Sequence, residues 1–462
     1  MSLSGGLAIA LSALQADQGA EAVTANNIAN ANTPGYSRQI AQLEEMPPET
    51  VGSVKYGSGV ELTGVESVTD SLVNSQIQQQ QQQNGQATAF QNAMQPVQQM
   101  FDETQGSGLG TDLSNFFSSL QQLETEPTDI PTRQAVLEAA QTLAGSFNQA
   151  AAELASQQTN ADQQVLQGVA EVNSLTSQIA TLNTQIGGLP ANSSGAGQLN
   201  DQRTQLITQL SQLISVQSVT TNDGMVNLTT AGGGALVVGD QSDALTTQAN
   251  PATGMHDVYA QGTDITAALG AGPAGGELGG YIQARDQAIP QLQSQLDTLA
   301  AGLGNAVNTQ NQAGYTLSGS AGGNFFVPPP SGISGAAAAL AVAITDPSDI
   351  AASSDGTAGS NGNAVALANL GNQNIVAGQP PDTYYADAVS QLGTQIQNAS
   401  VNQQAGAQLL TQLQNQLGAV SGVSLDEEAA NLMQYQQAYA GAAQVASVID
   451  DMMQSAIQMI PS

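Results

Sequence analysis

The chain has no cysteine and no tryptophan, and its five cations, Arg38, Lys55, Arg133, Arg203 and Arg285, stand against 37 carboxylates for a formal charge of −32. Without thiols, neither disulfides nor thiolate metal sites can form. Without clustered Lys and Arg, phosphate and anionic lipid cannot be neutralised, which sets aside nucleic-acid and membrane-surface functions. Aromatic residues make up 3% of the sequence, too few for one thick core, so thin helix-on-helix cores are expected. No apolar run approaches the ~18 residues of a membrane-spanning helix. Residues 1–10 lack a basic start and a long apolar stretch, and are not expected to act as a cleavable secretory signal.

What is there is 462 residues, 40% of them apolar, enough for about two to four domains. The periodicity predicts an α+β chain that is predominantly α. Terminal helices form a coiled coil, a long-helix bundle makes a rod domain, and a small β-rich domain is inserted in it. An N-terminal assembly helix occupies 1–36. The rod domain comes in three pieces, 37–215 (with an extended excursion at 39–66), 275–313 and 381–421. The β-rich insertion covers 216–274, a Gly/Ala/Ser-rich outer region 314–380, and a C-terminal assembly helix 422–462.

Local signals support these boundaries. Leu7, Leu11, Leu14, Ala25 and Ile28 fall at helical steps, and the helix is expected to stop at Asn30-Ala31-Asn32-Thr33-Pro34-Gly35, where Pro-Gly suits a type II turn and sends the chain back at Tyr36. Leu166, Val169, Leu175, Ile179, Leu182 and Ile186 mark a long rod helix. Pro96 and Pro290 predict a kink and a bend. Asn222-Asp223-Gly224 between two β-rich runs is a hairpin signal. At the far end, Leu432, Tyr435, Tyr439, Ala442, Ala446, Ile449, Met453, Ala456 and Ile460 alternate steps of three and four, a coiled-coil seam, and Ser424 with Glu427 reads as its capping box.

Signals for catalysis are thin. His256-Asp257 follows Asn250-Pro251-Ala252-Thr253-Gly254 and is expected in a solvated loop, with too few ligands for a metal. Asp426, Glu427 and Glu428 are adjacent and cap a helix rather than oppose each other across a cleft. Gly232-Gly233-Gly234 lacks the Lys and helix of a phosphate loop. No enzyme activity, cofactor or metal is expected.

Residues 25–36, Ala25-Asn26-Asn27-Ile28-Ala29-Asn30-Ala31-Asn32-Thr33-Pro34-Gly35-Tyr36, resemble the N-terminal signature of the rod, hook and hook-associated proteins of the bacterial flagellum. Ser37-Arg38-Gln39 and Gly57-Ser58-Gly59-Val60 are similar to the hook-associated members in particular. So are Phe116-Phe117, Arg133-Gln134-Ala135-Val136-Leu137, Leu199-Asn200-Asp201-Gln202-Arg203, the run from Gly275 through Arg285-Asp286, and Asn324-Phe325-Phe326. The C-terminal run from Ser424 through Leu432 and on to Tyr435-Gln436-Gln437-Ala438-Tyr439 completes the pattern.

This resemblance implies a structural subunit in a ring of identical copies joining hook to filament. The implied partners are the chain itself, hook protein, hook-associated protein 3 (FlgL) and an export chaperone, FlgN, on the C-terminal helix. It also implies secretion through the flagellar export apparatus to an extracellular position. The expected assembly interface is Leu7, Leu11, Leu14, Ile28, Leu432, Tyr435, Tyr439, Ala442, Ala446, Ile449, Met453 and Ile460, and the signature turn is Asn27, Asn30, Thr33, Pro34, Gly35 and Tyr36. A hook or distal-rod subunit shares the end motifs, and a helical-stalk adhesin is the reading from another class.

Overall fold

Long Ala-, Gln- and Leu-rich stretches with little glycine or proline favour helix, and the fold is built on a few long ones. A computed structural model describes residues 3–51, 54–103, 108–190, 192–230, 232–272, 274–329 and 332–459. The chain opens with α1 (Leu3–Asn30) and a nested hairpin, β1 (Gln39–Glu45), β2 (Glu49–Val51), β3 (Val54–Tyr56) and β4 (Val60–Ser67), in which β1 pairs β4 and β2 pairs β3, all antiparallel. The helices α2 (Ser71–Met100), α3 (Leu109–Thr125), α4 (Ile130–Gly187) and α5 (Ser194–Leu213) follow.

The insertion then contributes a sheet of β5 (Val216–Thr220), β6 (Val226–Thr230), β7 (Ala235–Val238) and β8 (Gln241–Ser242). A second sheet holds β9 (Thr246–Ala249), β10 (His256–Ala260) and β11 (Thr263–Asp264), and α6 (Thr266–Gly270) closes the insertion. Asn222-Asp223-Gly224 makes the expected β5–β6 turn, with Gly224 at φ +79°. Next come α7 (Gly276–Gln283), a π turn (Ala284–Ala288), α8 (Ile289–Gln312), α9 (Ala336–Ala339), α10 (Gly362–Asn369), α11 (Pro381–Ser421) and α12 (Leu425–Gln458).

Two main cores share α4. Its first half packs with α3, α8, α10 and the start of α11 around Phe116, whose ring centroid lies 5.4 Å from Phe117 and 5.9 Å from both Phe325 and Phe326. Its second half, from Val165 to Ala180, packs on α5, both insertion sheets and α7, with Leu210, Leu228, Leu236, Val258 and Leu278 buried. The insertion therefore borrows its core from the rod.

Segment 314–380 corrects an expectation. It is poor in large side chains, yet Phe325, Phe326, Ile350, Leu367 and Val376 are fully buried in the first core while Tyr315, Val327 and Ile333 stay exposed, so much of it wraps the rod rather than standing outside it. Polar ties hold it there. Asn308 Oδ1 accepts from the amides of Phe325 and Phe326 at 2.8 Å, and Arg133 donates to the carbonyls of Pro347 and Ile350 at 3.2 and 2.7 Å.

Pro96 sits inside α2 without ending it, and Pro290 is the second residue of α8, directly after the π turn.

Candidate functional site: the terminal helix pair and its latch

The two ends of the chain meet. Helices α1 and α12 run antiparallel: Gly6 lies against Ile449, at 3.1 Å from where a Cβ on Gly6 would stand, while Asn27 reaches Glu428. The buried stripe of α1 is Ala10, Ala16, Ala20, Val23, Thr24 and Asn27, small side chains that let a second helix come close. Leu7, Leu14 and Ile28 are half-buried, and Leu11 is 48% exposed, so the leucine stripe expected from the sequence is not the face buried within the chain. The other side of α1 carries the β1–β4 hairpin: Ser12 Oγ accepts from the Val60 amide, and Leu62 packs on Gly19.

On α12 the expected seam is half real. Leu432, Tyr435, Ala442, Ala446, Ile449 and Met453 are half-buried, Tyr439 is 40% exposed, and Ile460 lies outside the described residues. The single fully buried residue of the helix is a carboxylate, Glu428. Beside the seam runs a second apolar stripe that the sequence reading missed. Val445, Val448, Met452 and Met459 recur at steps of three, four and seven, and all are exposed.

The signature turn is a latch. Asn30 ends α1 by donating Nδ2 to Asn26, Thr33 Oγ1 donates to Asn30 Oδ1, and Gly35 at φ +79° takes the left-handed position after Pro34 that a type II turn needs. The reversed chain returns to Asn27, whose side chain makes four hydrogen bonds. Its Oδ1 accepts from Tyr36 Oη at 2.8 Å and from the Gln39 amide at 2.9 Å, and its Nδ2 donates to Gln39 O at 2.7 Å and Glu428 Oε2 at 3.1 Å. A buried amide so saturated fixes one geometry.

Neighbouring residues extend the latch outward. The Ser37 amide donates to Asp201 Oδ2 at 2.9 Å, the Arg38 amide to Ser421 O at 2.8 Å, and Arg38 Nη1 to Glu427 Oε2 at 2.9 Å. Twelve residues of sequence thus bind α1, β1, α5, the α11–α12 joint and the first turn of α12. Ser424 Oγ caps α12 by accepting from the Glu427 amide, while the Glu427 carboxylate turns to Arg38. Burial, then the carboxylates of Asp201 and Glu428, pushes the Tyr36 phenol up to about 12, and burial raises Asp201. That Asp201 and Ser421 join the latch, and that Glu428 is buried in it, was not read from sequence. The available signal was Asn27 itself, an amide at the inward step after Ala16, Ala20 and Val23.

His256 also departs from expectation. It opens β10 rather than lying in a loop, and its ring Nδ1 is 2.7 Å from Asp162 Oδ2 on α4. The His256 amide and Arg285 Nη1 both donate to Asp162 Oδ1, at 2.8 and 2.7 Å, and Arg285 binds Asp286 as well. Burial works against the Asp162 charge, but these donors outweigh it and hold its pKa low. The cluster ties the insertion to the rod. Asp257 Oδ2 accepts from Asn250 in the turn before β10. Among the described residues, no group of three or more His, Asp or Glu side chains is placed to hold a metal.

Residues 94–326 match the flagellar hook-associated protein FlgK helical domain. Flagellar hook-associated protein 1 of Bacillus subtilis is 30% identical over 98% of this chain and 97% of its own length. The chain belongs to the flagellar hook-associated protein 1 family. It is a structural component of the bacterial flagellum, at the hook–filament junction.

The Escherichia coli relative of the same name is 28% identical over 94% of this chain. A solved structure described as the flagellar hook junction protein FlgK from Burkholderia pseudomallei shares the fold, with a TM-score of 0.65 and 20% identity over 75% of this chain and all of that one. Residues 7–36 match a flagella basal body rod protein family and 416–459 a flagellar basal body rod FlgEFG protein C-terminal family. These two matches are the two helices that pair here.

Proposed function

We propose that the chain forms a ring of identical subunits in which the α1–α12 pair is the assembly element and the rod and its insertion stand outside it. The observation that carries this is α12 itself. It is helical over Leu425–Gln458, buries one residue, and leaves Val445, Val448 and Met452 bare beside a half-covered seam. Exposed apolar stripes of that kind are contact surfaces. The half-buried seam meets α1 of the same chain, and the bare stripe, with Leu11, is left for neighbours: further copies, hook protein on one side and hook-associated protein 3 (FlgL) on the other. Before assembly the same stripe needs cover, which supports a chaperone of the FlgN kind and secretion through the flagellar export apparatus. The chain performs no catalysis.

The test is Ile449→Asp, which sets a charge in the seam opposite Gly6 at a cost of several kcal/mol unless the helix shifts. Cells carrying it should export a subunit whose rod is folded but which does not stay on the hook, shed filament protein into the medium and fail to swim. Normal swimming would overturn the reading.

A further inference from the structure

Charge is distributed unevenly along this chain. Residues 71–101 and 388–425 contain no Asp, Glu, Lys, Arg or His, in a protein of net charge −32. These stretches are α2 and most of α11, which pack side by side. The pair is sealed by apolar side chains at one end, Val73 and Ile77 against Leu410 and Leu413, and joins the first core through Phe90, Met94, Leu392 and Ile396 at the other. Between the seals lies a cleft of about 790 Å³ in which α2, α11 and the helix running from α7 into α8 each present a ladder of amides: Gln80 and Gln83, Asn398 and Asn402, Gln287 and Gln291. Among the described residues, no charged side chain lines it. Along these two helices, Leu72, Val401, Leu409 and Val420 are exposed.

We infer that this charge-free stalk is a lateral contact surface between copies of the chain, with the amide cleft as its seat. The inference rests on the ring reading above and names a second surface for it, apart from the terminal helices. Two copies each carrying 37 carboxylates repel wherever acidic faces meet, and desolvating those carboxylates adds to the cost. Neutral amides can be covered by another chain's amides with hydrogen bonds exchanged and no charge buried. The occupant is therefore a second copy, not a basic partner, because this surface offers a cation nothing to pair with.

The absence of cysteine makes the test clean. Asn402→Cys in the full chain, labelled with a benzophenone, should photo-crosslink to a second copy and give a doubled mass at concentrations where the chain associates in 0.15 M salt. The same label at Gln141→Cys, exposed on α4, should not. Asn398→Asp with Asn402→Asp changes no volume and breaks none of the side-chain hydrogen bonds of the fold. It should raise the concentration for half-association about tenfold or more at low salt, less at high salt, while melting stays unchanged. The same two charges as Gln121→Glu with Gln141→Glu should have little effect. Oligomers whose crosslinks avoid position 402, or that form equally well in the Asp variant, overturn the stalk inference and leave the ring reading standing. A chain that stays monomeric at every concentration and salt overturns both.

Discussion

The rod and the terminal helix pair use the same few residue types, yet they bury them to very different degrees. Phe116, Phe147, Leu143 and Phe325 are fully buried in the core that α3, α4, α8, α10 and the 314–380 wrapping share. Helix α12 is 34 residues long and packs chiefly on α1, half of whose buried stripe is alanine. At about 25 cal/mol per Å² of apolar surface, a seam of Ala on half-buried Ile and Met supplies far less than a phenylalanine cluster does. The Phe116 core can thus be complete within one chain, while the terminal helices hold surface in reserve.

The largest effect expected from that difference is in the rod. Phe116→Ala removes the ring that touches Phe117, Phe325 and Phe326, and should cost about 3–5 kcal/mol, read as a lower melting temperature of the whole rod. Ile449→Asp should leave that melting transition in place. If both changes moved it equally, the two regions would be one cooperative unit and the contrast would fail. Amide exchange sharpens the same point: α1 and α12 of dilute chain should exchange through local opening, far faster than α3 and α4.

A smaller effect belongs to the latch. Asn27→Ala leaves the Gln39 amide and the buried Glu428 carboxylate without their partner, at about 1–3 kcal/mol, but the loss should appear as loosening of the α1–α12 pair. Protease cleavage near Arg38 should rise while the rod's melting point holds.

The latch also shows how much the sequence disclosed. The 3.6-residue period gave the long helices, Asn222-Asp223-Gly224 gave its hairpin, and Pro34-Gly35 gave the turn, because each is decided within a few residues. Glu428, which Asn27 also binds, lies 401 residues away and Asp201, the partner of Ser37, 164, and no local pattern encodes such pairings. On α1 the two faces divide for a related reason: period finds the most apolar face, the leucine stripe, but close antiparallel packing inside the chain selects the smallest one. Segment 314–380 misled by composition, since two adjacent phenylalanines with an asparagine bracket are enough to draw a bland stretch inside.

His256 is the next step down. Its ring touches Asp162, but Arg285 and the His256 backbone amide hold the same carboxylate, and the His256 side chain is 32% exposed. His256→Ala should therefore cost no more than about 0.5–1 kcal/mol and leave motility intact. Removing the buried partner, as in Arg285→Ala, leaves Asp162 charged and underpaired and should cost several times more. Equal losses from the two would mean that the ring, not the guanidinium, anchors the insertion.

The smallest expected effect is alkaline, and it separates the regions without touching packing. Tyr36 Oη donates to Asn27 Oδ1, and burial followed by the charges of Asp201 and Glu428 raises its pKa from about 10 to about 12. A folded pKa above the unfolded one means that the contribution is fully present below about pH 10 and is lost as pH rises towards about 12. Tyr385 in the rod is raised too, by burial and then by its hydrogen bond to Glu103, and Arg203, lowered to about 10 by burial, moves stability in the opposite sense. Both are unchanged in Tyr36→Phe, so the difference between that variant and the parent isolates the latch. Cleavage near Arg38 should climb with pH in the parent across this window and stay level in Tyr36→Phe. Because Tyr36 is only partly buried, water screens much of the effect, and the rise should be modest beside that of Asn27→Ala. Identical pH profiles would show that the phenol is a bystander and that Asn27, Gln39 and Glu428 close the latch alone.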